Sequence, residues 1–526
     1  MIHKHAQYYF THIKHDIPAG VVVFLVALPL CLGIALASGA PLFSGLIAGF
    51  VGGLVVSWLS GSQLSVSGPA AGLTVIVFNA IETLGSFQGL LVASLLAGMM
   101  QLGLGYLRAG IIGAFFPSAV IKGMLAAIGL ILIIKQLPHA TGHNEGYEGD
   151  ESYMRETAES SFLELFDAFN SCSLGAVIIS VVALGILLLW ESKWIKQQAF
   201  LALIPGLLVV VLWGIGFNLL TPVFAANLTL TNDFLVHLPI AQQPADFFAN
   251  FIQPDWSYLS HPQVYGIAVT IAIIASLETL LSLEATDKLD PLKRLAPTNK
   301  ELKAQGIGNI ISSLLGGLPI TAVIVRSAAN INSGGKTRVA CFFHGVLLLS
   351  SVAFFSAYLN FIPLACLAAI LLHTGYKLAK PALFIEFYKK GMSQFLPFVI
   401  TIGAILVTDL LIGIGIGIGL VIGLIFVIKA NYHAAITLIQ QDQHYTLLFN
   451  KDVTFLNKAL LRKFILTIQA NSTVTIDARQ AKFIDHDIVE TINDFLHTTE
   501  DNAITVEVLE LYGKESMPKH ESIIIQ

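Results

Sequence analysis

The sequence predicts an all-α polytopic membrane domain of 14 spans in a 7+7 inverted repeat, followed by a small α/β domain. Three observations carry this: a composition too apolar for a soluble chain, apolar segments separated by loops of alternating charge, and a charge-rich C-terminal stretch patterned as strands and helices. Of 526 residues, 55% are hydrophobic and 12% charged, with a mean hydropathy of +0.75. A soluble domain carries about 25% charged residues. Residues 17–137 hold four, Glu82, Arg108, Lys122 and Lys135, whereas residues 440–526 hold 21. An ordinary soluble enzyme is excluded, and a net charge of -5 without any Lys/Arg run leaves no footprint for nucleic acid.

The first 16 residues form a cytoplasmic segment, and the apolar run from Ile17 is too long for a cleaved signal, so it reads as an uncleaved first helix. Apolar segments follow over 17–37, 42–59, 69–84, 88–107, 114–137, 174–190 and 199–220. A second set covers 264–284, 301–316, 319–332, 337–358, 361–378, 393–409 and 411–428. These give a transmembrane domain over 17–430, with repeat one at 17–220 and repeat two at 264–428, and a C-terminal domain at 440–526.

Cytoplasmic loops collect Lys and Arg. With the N-terminus inside, the inside loops hold Arg108, then Lys193 and Lys196, then Lys288, Lys293, Arg294, Lys300 and Lys303. Lys336, Arg338, Lys377, Lys380, Lys389, Lys390 and Lys429 continue the series, whereas 138–173 holds only Arg155 and 221–263 has no Lys or Arg. Seven is odd, so the second set enters the membrane from the opposite side, as inverted-repeat transporters do.

Spans three and ten are short, and both begin with a proline beside glycines: Ser67-Gly68-Pro69-Ala70-Ala71-Gly72 and Gly316-Gly317-Leu318-Pro319-Ile320-Thr321. They are expected to be half-helices starting at mid-membrane, each proline in the first turn, where its missing N–H has no partner to lose. Gln63–Ser67 alternates like a short strand. Two facing helix N-termini offer free N–H groups and partial positive charge, a site for a small anion. Arg326, about two turns into span ten, adds a full charge.

Span eight places Glu278 some 14 residues into an apolar helix, roughly 21 Å from its outer end at about 1.5 Å per residue. A charge there costs on the order of 2.5–3.5 kcal/mol and normally faces a cavity or partner. Ser282 at i+4 shares its face. Carboxylate and hydroxyl suit Na+, the carboxylate alone can carry a proton, and a buried ion pair with Arg326 is the structural alternative. Inward movement of one positive charge offsets that of a monovalent anion, so the residues point to cation-coupled anion uptake.

Other motifs carry less. Ser333-Gly334-Gly335-Lys336-Thr337 hints at a phosphate loop but has Asn330 where the motif needs glycine. Gly413, Gly415, Gly417 and Gly419 lie within an apolar span and suit close helix packing. Cys31, Cys172, Cys341 and Cys366 stand singly, and no metalloprotease or Ser/His/Asp pattern is argued, so no enzyme is predicted. In the tail, strands near 445–449, 474–477 and 503–509 alternate with helices near 454–469 and 486–498. Asp477, Asp485 and Asp487 are read there as turn and capping residues.

Together, Ala27-Leu28-Pro29, Ser67-Gly68-Pro69, Glu278-Thr279-Leu280-Leu281-Ser282, Gln305-Gly306-Ile307-Gly308-Asn309, Gly316-Gly317-Leu318-Pro319, Arg326 and Gly334-Gly335-Lys336-Thr337 resemble the SulP family of inorganic-anion transporters over essentially the whole chain. The resemblance implies a uracil-permease-like fold with core and gate domains, a C-terminal STAS domain and a homodimer in the inner (plasma) membrane, the STAS domain being cytoplasmic. It is nearest the bicarbonate-transporting branch, whose span-eight acid and hydroxyl serve Na+. Glu278 and Ser282 stand on those positions, with Glu for Asp and Ser for Thr. Ala70 replaces a threonine that contacts bicarbonate in that branch, and span ten reads Thr321, Ala322, Val323 and Ile324.

The sequence therefore points to a Na+- or proton-coupled importer of a small inorganic anion, bicarbonate first and sulfate second, working by alternating access. Ala70, Ala71, Thr321, Ala322 and Arg326 would bind substrate, and Glu278 and Ser282 would couple the cation. No cofactor is implied beyond Na+ as a coupling ion. Dicarboxylate or nucleobase transport, an anion channel and a STAS-bearing membrane regulator are the rival readings.

Overall fold

The computed structural model describes residues 2–110, 117–142, 172–198, 204–225, 228–240, 244–408, 410–428, 435–481, 483–499 and 504–511. Arg155, Lys429 and Ala503, used in the sequence reading, lie outside them. The chain separates into two compact units, Met1–Gly110 with Ile128–Ala379, and Ile111–Ala127 with Lys380–Gln526.

In the first unit, α1 (Ile2–Ala37) is followed by α2 (Leu42–Val51), which passes through a π-helical turn, Gly52–Val56, into Ser57–Leu59. The widened turn lies where the backbone is crowded: a Cβ on Gly53 would stand 2.5 Å from Gly345 Cα. The chain then enters β1 (Ser67–Pro69), a 3-10 turn at Ala71–Leu73 and α3 (Thr74–Leu84). Gly85, at φ 64°, ends α3 in the left-handed conformation that favours glycine. Ser86 caps α4 (Phe87–Tyr106) by accepting from the N–H groups of Gln88 and Gly89.

Next come α5 (Ser118–Thr141), divided between the units, then α6 (Leu174–Trp190) and α7 (Gly206–Phe224). α8 (Pro262–Leu289) opens on proline, and α9 (Thr298–Leu314) leads to β2 (Ile320–Ala322) and α10 (Ile324–Asn332). α11 (Val339–Leu359) and α12 (Leu364–Leu378) close the unit. Among the described residues of the whole chain, seven helices are long and apolar enough to cross a membrane, and shorter apolar helices occur at Ala71–Leu84, Leu174–Trp190, Gln394–Val407 and Ile412–Val421.

The structure corrects the expected placement of both prolines. Pro69 ends β1, Pro319 precedes β2, and the helical turns open only at Ala71 and Ile324. β1 and β2 pair antiparallel, Ser67 with Ala322, Gly68 with Thr321 and Pro69 with Ile320. Paired main chain must stay extended, and proline is tolerated at the end of a strand, where no ladder N–H is required. Arg326 consequently lies in the first turn of its helix rather than two turns in.

α9 explains how so short a pair of strands is held. Its buried residues Glu301, Gln305, Asn309 and Ser312 recur every three or four positions and form a polar stripe turned inward. A Cβ on Gly98 of α4 would stand 2.8 Å from the Gly306 carbonyl oxygen, and one on Gly306 2.7 Å from that of Gly98. Glycine at both positions lets the two backbones meet and carries the stripe into the interior.

In the second unit, α13 (Pro381–Lys389), α14 (Met392–Val407) and α15 (Leu410–Ile428) precede an α/β segment. Gly413 packs on Ile405 and Gly417 on Thr401, whereas Gly415 and Gly419 meet nothing, so one face of the glycine series fits α15 against α14. Phe387 stacks on Phe398 at 4.6 Å.

The α/β segment has a sheet in the order β3–β4–β5–β6: β3 (Ile436–Gln441) and β4 (His444–Phe449) antiparallel, then β5 (Thr473–Asp477) and β6 (Thr505–Leu509) parallel. α16 (Lys458–Ile465) and α17 (His486–Thr499) are the crossovers that the parallel pairs require. Tyr445, Leu447, Phe449, Val474, Ile476, Ile488 and Ile492 form its core. β3 was not foreseen, since it follows an apolar helix and its two-residue turn has Asp442 at φ 52° instead of glycine. Hydrogen bonds from Arg479 hold the Asp477 carboxyl below the usual range, a turn role.

Candidate functional site

The site lies in the first unit, where β1 and β2 cross and the helices that follow them begin. Ala70 is extended, at φ -119° and ψ 140°, and the next three residues turn as a 3-10 helix into α3. On the other side Val323 is extended and α10 begins at Ile324. Ala70, Thr321 and Ala322 are buried, while Ala71, Val323 and Ile324 are partly exposed.

Side chains from four helices fix the crossing. Asn309 donates to Gln101 Oε1 at 2.6 Å and to the Ile320 carbonyl at 3.0 Å, and accepts from the Ile320 N–H at 2.5 Å. Gln305 donates to Ser67 Oγ at 2.7 Å and to Glu301 Oε1 at 2.9 Å. Thr279 of α8 accepts from the Ala322 N–H at 3.3 Å, so that backbone group is already engaged. From α10, Ser327 accepts from the Val66 N–H at 3.0 Å and Asn330 donates to the Leu64 carbonyl at 3.1 Å. Buried main-chain groups that left the ladder for this crossing are thereby satisfied, as irregular backbone in an apolar body requires.

Glu278 is partly exposed and its carboxylate lies against Gly72: a Cβ there would stand 2.6 Å from Oε2 and 2.7 Å from Oε1. Glycine thus lets the carboxylate reach the first turn after β1, where N–H groups point outward. Glu278 Oε2 is buried without a hydrogen-bond partner. Ser282 is buried one turn further along α8. Arg326 is fully buried, and its Nη2 donates to the Pro69 carbonyl at 3.3 Å. No ion pair joins Arg326 to Glu278 among the described residues; each charge meets a different residue of the first crossover, so the ion-pair alternative is not realised.

Sequence reasoning missed Thr279, Gln101, Ser327 and Asn330 as supports of the crossing. The signal available was polar residues recurring at helical spacing inside apolar segments. The glycine motif at 334–337 also finds its explanation: buried Asp16 of α1 accepts from the N–H groups of Lys336 at 2.7 Å and Thr337 at 3.0 Å, and from the Thr337 hydroxyl. A carboxylate of the chain occupies the amide cradle that suggested a phosphate.

Two strands that each lead into a helix inside an apolar body, with a carboxylate and a guanidinium beside them, are the architecture of a helical membrane transporter fold of the broken-helix kind. The chain belongs to the sulfate permease family, whose model matches residues 13–401; this is a family of transporters rather than enzymes, and its relatives include sulfate and bicarbonate transporters. The putative sulfate transporter YvdB of Bacillus subtilis is 29% identical over 369 residues, covering 70% of this chain and 65% of the relative. The bicarbonate transporter BicA of Picosynechococcus is 25% identical over 377 residues, covering 70% and 62%. The match thus spans less than two thirds of either relative's length.

Among solved structures, the transmembrane domain of a cyanobacterial bicarbonate transporter BicA superposes with a TM-score of 0.62 at 23% identity, covering 78% of this chain and 98% of that one. The overall structure of SLC26A9 gives 0.68 at 15% identity, covering 96% and 86%. These likenesses show the fold.

Proposed function

We propose that the chain is a secondary active transporter that imports a small inorganic anion, bicarbonate first and sulfate second, with Na+ or a proton. The observation that carries this is the Glu278 carboxylate seated against Gly72, at the turn where the helix after β1 offers its N–H groups. An ionised carboxylate there competes with an incoming anion for the same positive potential. A proton or Na+ taken up at Glu278, with the Ser282 hydroxyl nearby on α8, neutralises it and leaves that potential to the substrate. Anion and cation then bind together, which is symport.

In this reading Ala70, Ala71, Thr321 and Ala322 line the substrate and Arg326 supplies the charge behind it. The two strand–helix crossovers are the centres of a 14-span, 7+7 inverted repeat with core and gate domains that exchange access. The α/β segment is a cytoplasmic STAS domain, the N-terminus is cytoplasmic, and the protein is a homodimer in the inner (plasma) membrane. The antiparallel β1–β2 pair and the charge alternation of the loops support the repeat and its orientation.

The test is uptake by proteoliposomes of labelled bicarbonate and labelled sulfate under imposed Na+ or proton gradients. Accumulation beyond the electrical potential, abolished by collapse of one cation gradient, is expected. Flux that only follows the electrical potential would make the protein a channel, and no flux of any anion would make it a regulator.

A further inference from the structure

The turn that joins α8 to α9 is firmly tied and yet presents leucine to its surroundings. Leu289, Leu292 and Leu295, three residues apart, are 49%, 63% and 67% exposed. Two acids fix the backbone that carries them. Asp290 accepts from the Leu292 N–H at 2.9 Å and from Arg294 Nε at 2.6 Å, and Asp287 accepts from the Ala296 N–H at 2.9 Å. Arg294 Nη1 donates to the Lys336 carbonyl at 3.0 Å, and Lys293 Nζ to the Lys288 carbonyl at 2.9 Å. A turn held at so many points keeps its leucines outward.

The charges of the segment are sorted by side. Asp290 and Glu301 are buried and Glu284 and Asp287 half-buried, whereas Lys288, Lys293 and Lys300 are exposed. Lys288 stands 3.6 Å from Glu284, one turn back along α8. The outward face therefore shows leucines and ammonium groups, with the carboxylates turned towards the body.

The helix before the turn sets its depth. α8 (Pro262–Leu289) is 28 residues long and apolar enough to cross a membrane. At about 1.5 Å per residue it measures about 42 Å, close to the roughly 40–45 Å of hydrocarbon core and headgroup layers together. Its last turn, with Leu289, thus arrives at headgroup level. A surface that meets leucine with hydrocarbon and lysine with negative charge is an anionic lipid layer, and the span itself delivers the turn to it.

We infer that the 288–295 turn is a docking surface for anionic phospholipid, its leucines entering the upper acyl region and Lys288 and Lys293 meeting the headgroup phosphates. The tied backbone gives this contact a fixed geometry, so the lipid holds the end of the helix that carries Glu278.

The test uses the full chain with Cys172, its exposed cysteine, replaced by serine. Leu292→Cys carries a fluorophore, in vesicles of equal parts phosphatidylcholine and phosphatidylglycerol. A trace of one lipid or the other bears a nitroxide high on its acyl chain, and quenching by the two is compared at equal amounts. The expected result is quenching by both, several-fold stronger from phosphatidylglycerol. Each lysine at an anionic surface is worth roughly a factor of five, so Lys288→Gln combined with Lys293→Gln should bring the ratio most of the way to one, while Lys288→Arg with Lys293→Arg keeps it. Equal quenching by the two lipids before the lysines are changed, or a ratio that the glutamine pair leaves unaltered, overturns the inference. Quenching by neither lipid overturns it as well: access of aqueous iodide would then place the turn in water, and exclusion of iodide would show it covered by protein. Should labelling at 292 unfold the chain, Leu295→Cys gives the same comparison.

Discussion

Asp487, in the first turn of α17, accepts hydrogen bonds from both the N–H (3.1 Å) and the hydroxyl of Ser118, the first residue of α5. One carboxylate from the α/β segment therefore caps the start of an apolar helix while lying near the start of its own. Asp485, two residues earlier, accepts from Gln394 Nε2 at 2.9 Å, near the start of α14. The second unit is bound together at these two acids.

Removal of the cap should loosen that unit. Asp487→Ala is expected to lower stability by about 0.5–2 kcal/mol, as loss of a helix cap does, and Ser118→Ala by less, because the N–H contact remains. Thermal unfolding of the purified full chain measures this; an unfolding temperature unchanged in Asp487→Ala would show that the contact contributes nothing.

Asp485 gives the unit a pH dependence. Burial, and then the charge of Asp487, raise its carboxyl from the ordinary 3.8 to about 6. The folded chain therefore holds this proton more tightly than the unfolded one, so the contribution of Asp485 is most favourable below about pH 4 and declines as pH rises through 6. Asp485→Asn should unfold at a higher temperature than the wild type at pH 7.5, with a flatter profile between pH 4 and 6. An identical profile in the two proteins would rule this out.

In the first unit, Glu278→Gln should retain the fold and lose the dependence of uptake on the cation gradient. Gly72→Ala places a methyl 2.6 Å from Oε2 and should reduce uptake by displacing the carboxylate. Gradient-dependent uptake that survives in Glu278→Gln would remove Glu278 from the coupling step.

Asn309→Leu leaves the Ile320 N–H and carbonyl unpaired, each at a cost of about 1–3 kcal/mol. It should destabilise the chain more than Gln305→Leu, which frees the Ser67 hydroxyl and one hydrogen bond to the Glu301 carboxylate, a group Ser60 still serves, rather than backbone. Comparison of unfolding temperatures orders the two, and the reverse order would contradict the importance given to the Asn309 bridge.

Much of this was legible in the sequence. Apolar run lengths marked the helices, and the two Gly-Pro segments with Glu278 and Arg326 marked the crossing, because charge and helix-breaking residues are conspicuous in an apolar body. What could not be read was pairing across the chain. Nothing local to Ser67 or Ala322 says that they are partners, and a proline before a helix pattern reads as a first helical turn until a second strand requires extended backbone. Thr279 and Asn309 stood in quoted motifs without a role for the same reason: a hydroxyl or amide within an apolar helix acquires meaning only from the backbone it faces. β3 was lost because its turn lacks glycine.

The β1–β2 crossing is held mainly through backbone N–H and carbonyl groups, met by supports at Asn309, Thr279 and Ser327. Backbone hydrogen bonds do not depend on which side chains project from the strands. The separation of the two helix starts is therefore insulated from substitution at the partly exposed Ala71, whereas the buried Ala70 and Thr321 can change only within the volume their neighbours leave.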